Sequence, residues 1–398
     1  MQPLDFKARP PGALPVPFFA LGLLGLLAVP IAAAIDPAVA LSDHPHAPGV
    51  LFLHLITLGF LAPTMMGAYY QLVPVILHVP IPCPGLGRWI LAGLAAGVVV
   101  FLLGWGVRFP EAIAGGGILA GLALYAFIAQ VGAALARLRR LTLPAAGFVG
   151  ALLALAAVGL LGPLLALGFF AHALLVAHVA AALAGWLLLT ILGATYQLVP
   201  FFAATPPAIG PRFGYGPTAL VAAGALLLAL GAAPPVGGAA ACLGLALWAA
   251  DMARLARHGR QARREPVARY TVLSIGLLVL TAACAEADLL GAAIPVRVLA
   301  LTGILAAPAL LIMAQLQKIL PFLAALEARG VKTEQLFSRQ AADRVLPVAA
   351  LGLVGLAAAS ALTSPLGVRA AAILAAAAAA AYVAIQWRAF RRFRASAR

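Results

Sequence analysis

Histidines are the residues of this sequence whose type and spacing best suit cofactor chemistry. His54 and His178 lie inside two long apolar segments, and at the rise of an α-helix each is about 8–10 Å from the end of its segment. An imidazole at that depth in a membrane is costly and marks a candidate functional site. Neutral imidazole is a common ligand of haem iron and copper. The alternative is that each histidine only hydrogen-bonds a neighbouring helix.

Further polar side chains form secondary candidates. His172 begins one of these two segments and is a secondary metal or haem ligand. His44 and His46, in DHPHAP, are either solvated loop residues or ligands of a metal at the outer surface. Glu286 and Asp288, near the end of a later apolar segment, either extend that outer site as a proton or ion relay or form a structural ion pair with Arg297.

An eight-residue motif recurs along the chain. GAYYQLVP (67–74) returns as GATYQLVP (193–200) at an offset of 126 residues, with seven of eight positions identical, and a weaker third copy ends in QKILPF (317–322). Repetition at this distance indicates duplicated architecture. We predict three four-helix repeats, at approximately 13–137, 141–258 and 268–390, arranged in parallel around a pseudo-threefold axis along the membrane normal.

Each motif copy combines a proline with a polar side chain. Proline removes a backbone donor and clashes with the carbonyl four residues earlier, so it marks the end of a long helix. Gln71, Gln197 and Lys318 stand three residues before that proline. They either satisfy the freed backbone groups or line a polar constriction at the inner mouth. Glycines of the first two copies predict close helix contacts: Gly59, Gly67, Gly185 and Gly193.

The composition places these motifs in a bilayer. The chain has 398 residues, of which 64% are hydrophobic and 9% are charged, and its mean hydropathy is +1.08. So few charges cannot cover a soluble protein of this length, and backbone polar groups in hydrocarbon must be satisfied within helices. We predict an all-α polytopic membrane protein with a single domain, 1–398. Its roughly twelve transmembrane helices are predicted at 14–35, 49–77, 88–107, 111–136, 143–168, 171–201, 216–233, 236–256, 270–291, 297–322, 345–363 and 367–387.

The basic residues predict the orientation. The net charge is +15, but Lys and Arg are concentrated in short segments between apolar runs, the longest being 254–265. This distribution is typical of cytoplasmic loops and argues against nucleic-acid binding. We therefore predict a multi-pass protein of the inner (cytoplasmic) membrane with both termini in the cytoplasm. Its partner is the lipid bilayer, and its basic segments suit anionic headgroups.

The sequence resembles the haem-copper oxidase subunit I superfamily, including the NnrS-type proteins associated with haem, copper and nitric oxide stress. The resemblance depends on twelve helices in three four-helix arcs and on HLITLGFLAPTMMGAYYQLVP (54–74), which is similar to the second helix of divergent members. KILPFL (318–323) is similar to a tenth-helix ending of the same group. The resemblance implies that His54 corresponds to a ligand of the low-spin haem and that His172 or His178 corresponds to the sixth-helix copper ligand.

Other ligands of that family have no counterpart in this sequence. The seventh predicted helix, GPTALVAAGALLLALGA (216–232), lacks the family's histidine pair, and the span 297–322 contains no histidine. Met313 lies in that span, but nearer to the predicted cytoplasmic side than His54. The resemblance therefore implies at most one haem or copper site and no oxygen-reducing or nitric-oxide-reducing centre.

Three functions follow as hypotheses. The favoured one is a subunit-I-like protein that binds one haem or copper in the outer half of the membrane, for electron transfer, metal or haem handling, or a response to nitrosative stress. The second is a twelve-helix transporter or channel for a small solute or ion. The third is a non-catalytic subunit that assembles with respiratory or cytochrome subunits. The sequence carries none of the motifs of nucleotide-binding proteins, serine hydrolases or zinc proteases.

Overall fold

The chain folds into long helices. The computed structural model describes residues 10–43, 47–203, 211–258, 266–327 and 338–396, and these residues form helices and no strand, so the predicted all-α class is confirmed. In chain order the long helices are α1 (Pro15–Ile35), α2 (47–77), α3 (Pro84–Val107), α4 (Pro110–Leu135), α5 (Leu143–Ala166), α6 (172–203), α7 (Pro211–Ala229), α8 (Pro234–His258), α9 (Pro266–Leu289), α10 (296–327), α11 (Arg339–Ala361) and α12 (Pro365–Ser396). A short helix, Ala38–Leu41, lies between α1 and α2.

Length and hydropathy suit these helices to a bilayer. Within the described ranges, eleven helices are long and apolar enough to cross a membrane, and α7 contributes the shorter apolar stretch Gly214–Ala229. The protein is therefore a multi-pass membrane protein whose helices contact lipid. Its orientation, and the membrane in which it resides, stay predictions from the charge distribution.

Proline and glycine set many of the helix boundaries. Pro110 stands in the first turn of α4, where a missing backbone donor costs nothing because that donor has no partner within the helix. Three glycines with positive φ follow the ends of α5, α7 and α9: Gly168, Gly231 and Gly291. Glycine adopts this left-handed conformation without the steric cost that a Cβ imposes, so each one allows the chain to leave its helix.

The described chain divides into two compact units. The first contains residues 68–203, 211–258 and 278–294, and the second contains 11–43, 47–67, 266–277, 295–327 and 338–396. In the first unit α3 packs on α4, α4 on α5, and α7 on α8. In the second unit α11 packs on α12 and α12 packs on α1.

A glycine of the third helix meets an alanine of the fourth helix in every predicted repeat. The pairs are Gly97 with Ala120, Gly224 with Ala241 and Gly352 with Ala375, and a Cβ on the glycine would lie 2.5, 2.8 and 2.6 Å, respectively, from the alanine amide nitrogen. Only glycine allows the two backbones to approach so closely. The recurrence supports the three predicted repeats, whose pseudo-threefold arrangement stays a prediction.

The predicted close contacts of the second and sixth helices are confirmed. In the second unit a Cβ on Gly67 would lie 3.1 Å from a backbone carbonyl of α1, and Gly25 of α1 lies directly against the backbone of Gly59. In the first unit, both α6 glycines of the prediction, Gly185 and Gly193, lie equally close to α5. These glycines therefore bring helices together inside each unit.

Candidate functional site

A π-helical turn interrupts the second helix of each predicted repeat. The turns are Leu55–Leu61 in α2, Ala181–Leu188 in α6 and Ala300–Ala306 in α10, and each contains one glycine. A π turn inserts one residue into an α-helix and frequently marks a functional site. Sequence reasoning missed these turns, because a glycine in an apolar helix equally suits ordinary helix packing.

His54, in the second unit, immediately precedes the first π turn. Its half-buried ring places Nδ1 2.8 Å from the carbonyl oxygen of Val50. A carbonyl oxygen only accepts hydrogen bonds, so Nδ1 carries the proton and donates it, and Nε2 holds the lone pair of the neutral ring. Histidines that bind metals usually have this arrangement, in which the other ring nitrogen donates to a carbonyl or carboxylate. The hydrogen bond therefore fixes both the tautomer and the orientation of the ring.

His178, in the first unit, lies three residues before the second π turn. Its ring is half-buried and packs on α5, where a Cβ on Gly162 would lie 3.3 Å from the ring carbon Cε1. Glycine at that position makes room for the imidazole. His172 is the first residue of α6 and is exposed, so it lies outside the packed part of the helix.

The acidic candidates at the end of α9 have local roles in the first unit. Asp288 Oδ1 accepts a 2.8 Å hydrogen bond from the backbone amide of Ile294 and so stabilises the turn after the helix. Glu286 packs on Gly238 of α8, and its buried Oε2 atom finds no hydrogen-bond partner within the described segments. His44 and His46 lie outside the described residues. The proposed outer-surface site stays a prediction.

Arg297, the predicted ion-pair partner of Glu286 and Asp288, pairs instead with Asp43 and is an anchor of the second unit. Its guanidinium pairs with Asp43, and its Nε donates a 3.1 Å hydrogen bond to the carbonyl of Ser360. The Ser360 hydroxyl in turn donates a 2.7 Å bond to the carbonyl of Ala40. This network ties the start of α10 to the end of α11 and to the segment before α2.

The polar residues of the predicted inner mouth are buried or half-buried. Gln71 and Gln197 are buried in the first unit, and Lys318 is half-buried in the second. Gln71 Oε1 has no hydrogen-bond partner in the part of the chain that the structure describes. A polar constriction at this level stays a prediction.

A buried tyrosine of the first motif copy is hydrogen-bonded to the fourth helix. Tyr70 donates a 2.7 Å hydrogen bond to Gln130 Oε1. Gln130 Nε2 then donates to the carbonyl oxygens of Pro82 and Cys83, each at 2.8 Å. Gln130 therefore satisfies all of these groups and fixes the loop between α2 and α3 against α4.

In the second motif copy the corresponding tyrosine is hydrogen-bonded to a carboxylate. Tyr196 donates a 2.9 Å hydrogen bond to Asp251 Oδ2 of α8. Asp251 is only 4% exposed, and its Oδ1 lies 3.8 Å from Nη1 of Arg254, whose side chain is 65% exposed. Because the arginine is largely solvated, the tyrosine is the main buried partner of this carboxylate.

Searches for relatives do not assign the chain to a family. No protein-family model and no curated protein sequence matches it. Among the described residues, no group of three or more His, Cys, Asp or Glu side chains is arranged to hold a metal ion. The remaining candidates are one half-buried imidazole in each unit, His54 in the second and His178 in the first.

Proposed function

We propose that this protein binds one haem through His54 and is a subunit-I-like membrane protein without an oxygen-reducing centre. The observation that supports the proposal is the hydrogen bond from His54 Nδ1 to the Val50 carbonyl, which fixes the ring and gives Nε2 the lone pair that a ligand nitrogen needs. Haem iron needs only one or two axial ligands from the protein, whereas copper sites combine several nitrogen or sulfur ligands. One oriented imidazole therefore suits haem better than copper.

The surroundings of His54 define what the protein would contribute. The helix around it is apolar, so water would be kept from the ring, and the adjoining π turn Leu55–Leu61 displaces the next residues from regular helical positions. Bound haem would supply one-electron transfer or the capture of a small gas molecule. The proposed role is electron transfer, haem handling or a response to nitrosative stress. The proposal places the chain in the inner membrane with both termini in the cytoplasm, next to other respiratory or cytochrome subunits.

The absorption spectrum of the purified protein tests this proposal. We expect a Soret band and bound iron after expression with ample haem, and we expect His54→Gly to lose both, because the axial ligand is removed. Adding free imidazole to His54→Gly should restore the band, since imidazole can occupy the space of the lost ring. His172→Gly is the matched control and should keep the wild-type band, because that ring is exposed.

Several outcomes would overturn the assignment. Protein that carries neither Soret band nor iron after haem-rich expression contradicts haem binding. A band that survives His54→Gly but is lost in His178→Gly moves the ligand to the first unit. Copper in stoichiometric amount without haem contradicts the choice of cofactor.

A transporter or channel for a small solute or ion is the second candidate function. It is favoured by Gln71, whose buried Oε1 atom makes no hydrogen bond to any described residue and so offers an acceptor to a passing solute. We expect Gln71→Leu to lower solute flux into proteoliposomes several-fold, as measured with a panel of alkali cations, chloride and small neutral solutes. Gln340→Leu changes an exposed glutamine and should leave flux unaltered. Equal flux in both variants, or none in the wild type, would exclude this role for Gln71.

A further inference from the structure

The third motif copy differs from the first two at the residue four positions before its proline. Tyrosine occupies this position in the first two copies, as Tyr70 and Tyr196, and Gln317 occupies it in the third. Both tyrosine hydroxyls bond directly to a polar side chain of the fourth helix. A glutamine is too short to replace the phenol in the same contact, so the third copy must satisfy its polar groups in another way.

The fourth helices carry their polar residues at corresponding places. Gln130 follows the alanine of the glycine–alanine crossing, Ala120, by ten residues, and Asp251 follows Ala241 by the same number. In α12, Gln386 follows the crossing alanine by eleven residues. Gln386 of the second unit is therefore the counterpart of Gln130 and Asp251, which accept hydrogen bonds from tyrosines in the first unit.

In the second unit the tyrosine is on the fourth helix of the repeat, so its hydrogen bond runs from the fourth helix to the second. Tyr382 of α12 donates a 2.5 Å bond to the carbonyl of Met313 in α10. Gln386 lies one turn after the tyrosine on the same face of α12, so its carboxamide is a neighbour of that hydroxyl. Gln386 is 0% exposed, yet neither its Oε1 nor its Nε2 has a hydrogen-bond partner in the described segments. The Oε1 atom of Gln317 in α10, a residue that is 7% exposed, also has no hydrogen-bond partner among the described residues.

A buried carboxamide whose oxygen and nitrogen are both unpaired needs a further hydrogen-bonding molecule. Buried polar atoms in proteins are almost always paired, and inside a membrane no bulk solvent can reach an unpaired one. The lining is neutral and offers acceptor oxygens together with an N–H donor. Water matches this set, because it donates two hydrogen bonds and accepts from the amide, whereas a metal cation would be repelled by the N–H group.

We propose that Gln386 and Tyr382 hold one or more ordered water molecules on the face of α12 that packs on α10. This hydration site belongs to the second unit alone and is independent of haem binding.

Radiolytic footprinting tests for the bound water directly. X-rays convert water to hydroxyl radicals, which oxidise a tyrosine ring that is buried only if a water molecule lies beside it. Tyr70 is the internal control, because it is as fully buried as Tyr382 and both amide atoms of its neighbour Gln130 are bonded to protein. We expect several-fold more oxidation at Tyr382 than at Tyr70 in the intact wild-type protein, as measured by peptide mass spectrometry. Equal oxidation of the two rings would overturn the proposal.

A pair of isosteric variants separates a water-bound glutamine from one that bonds to protein. Gln386→Met removes only water partners, so its Tm should fall by less than about 2 °C, and the excess oxidation at Tyr382 should disappear. Gln130→Met leaves the Tyr70 hydroxyl and two loop carbonyls without their hydrogen-bond partner. Its Tm should therefore fall by clearly more than the Tm of Gln386→Met. Oxidation of Tyr382 that persists in Gln386→Met, or a Tm loss as large as that of Gln130→Met, contradicts the site. If Gln386→Met does not fold, the ratio of Tyr382 oxidation to Tyr70 oxidation in the wild-type protein decides whether the water is present.

Discussion

Gly25→Ala is expected to destabilise the protein by about 3 kcal/mol, at the upper end of the cost of overpacking a core. The new Cβ would collide with the carbonyl of Gly59 and lie 2.8 Å from the amide nitrogen of Phe60. Both atoms are backbone of the π turn Leu55–Leu61, so no side chain can rotate away, and α1 would have to move off that turn. Thermal unfolding in detergent, followed by size-exclusion chromatography, measures the effect.

Gly132→Ala is the matched control for this substitution. A Cβ at Gly132 in α4 meets nothing within 4 Å, so the change adds only the helix preference of alanine. Alanine favours a helix over glycine by up to about 1 kcal/mol, so Tm should stay the same or rise. If the two variants unfold at the same temperature, the close backbone contact between Gly25 and the π turn does not exist in the folded protein.

Tyr196→Phe is expected to cost about 2–3 kcal/mol, because it removes a hydrogen bond to a buried carboxylate. Asp251 would keep only Arg254, at 3.8 Å and largely solvated, so the carboxylate would be poorly compensated. Tyr70→Phe is the neutral counterpart: it removes a bond to a carboxamide that retains two carbonyl partners, and it should cost only about 1 kcal/mol.

A double variant distinguishes a lost contact from general damage to the fold. Tyr196→Phe with Asp251→Leu replaces both partners by apolar groups, and such replacements of buried polar pairs are often close to neutral. The double variant should therefore be more stable than Tyr196→Phe alone in the same thermal unfolding experiment. A Tyr196→Phe variant no less stable than Tyr70→Phe would show that the Asp251 contact is not the stronger of the two.

The membrane helices could be predicted from the sequence because the bilayer dictates their length and hydropathy directly. The predicted spans coincide with all twelve long helices, although some ends differ, by as many as nine residues at the end of α12, which reaches Ser396. The seventh span shows one cause of such differences. That span was predicted to reach residue 233, whereas α7 ends at Ala229 and Gly231 follows with a positive φ of 64°. Hydropathy continues through such a turn, so only the backbone conformation reveals where the helix ends.

The polar contacts could not be predicted, because their partners are far apart in the chain. The hydrogen bond of His54 to Val50 spans one helical turn and follows from helix geometry alone. Tyr196 and Asp251, by contrast, are 55 residues apart, and Arg297 contacts Asp43 across 254 residues. No local pattern connects such pairs, so burial of a polar residue is foreseeable from the motif, but its partner is not.

The π turn of α6 determines which neighbours the later residues of that helix contact. One inserted residue turns the rest of the helix by about 100° relative to a regular α-helix, so the direction in which Tyr196 points depends on the turn Ala181–Leu188. Deleting one residue there would leave α6 apolar and long enough to span a bilayer, yet its phenol would face away from Asp251. In this helix the choice of neighbour is encoded in the number of residues as much as in their identity.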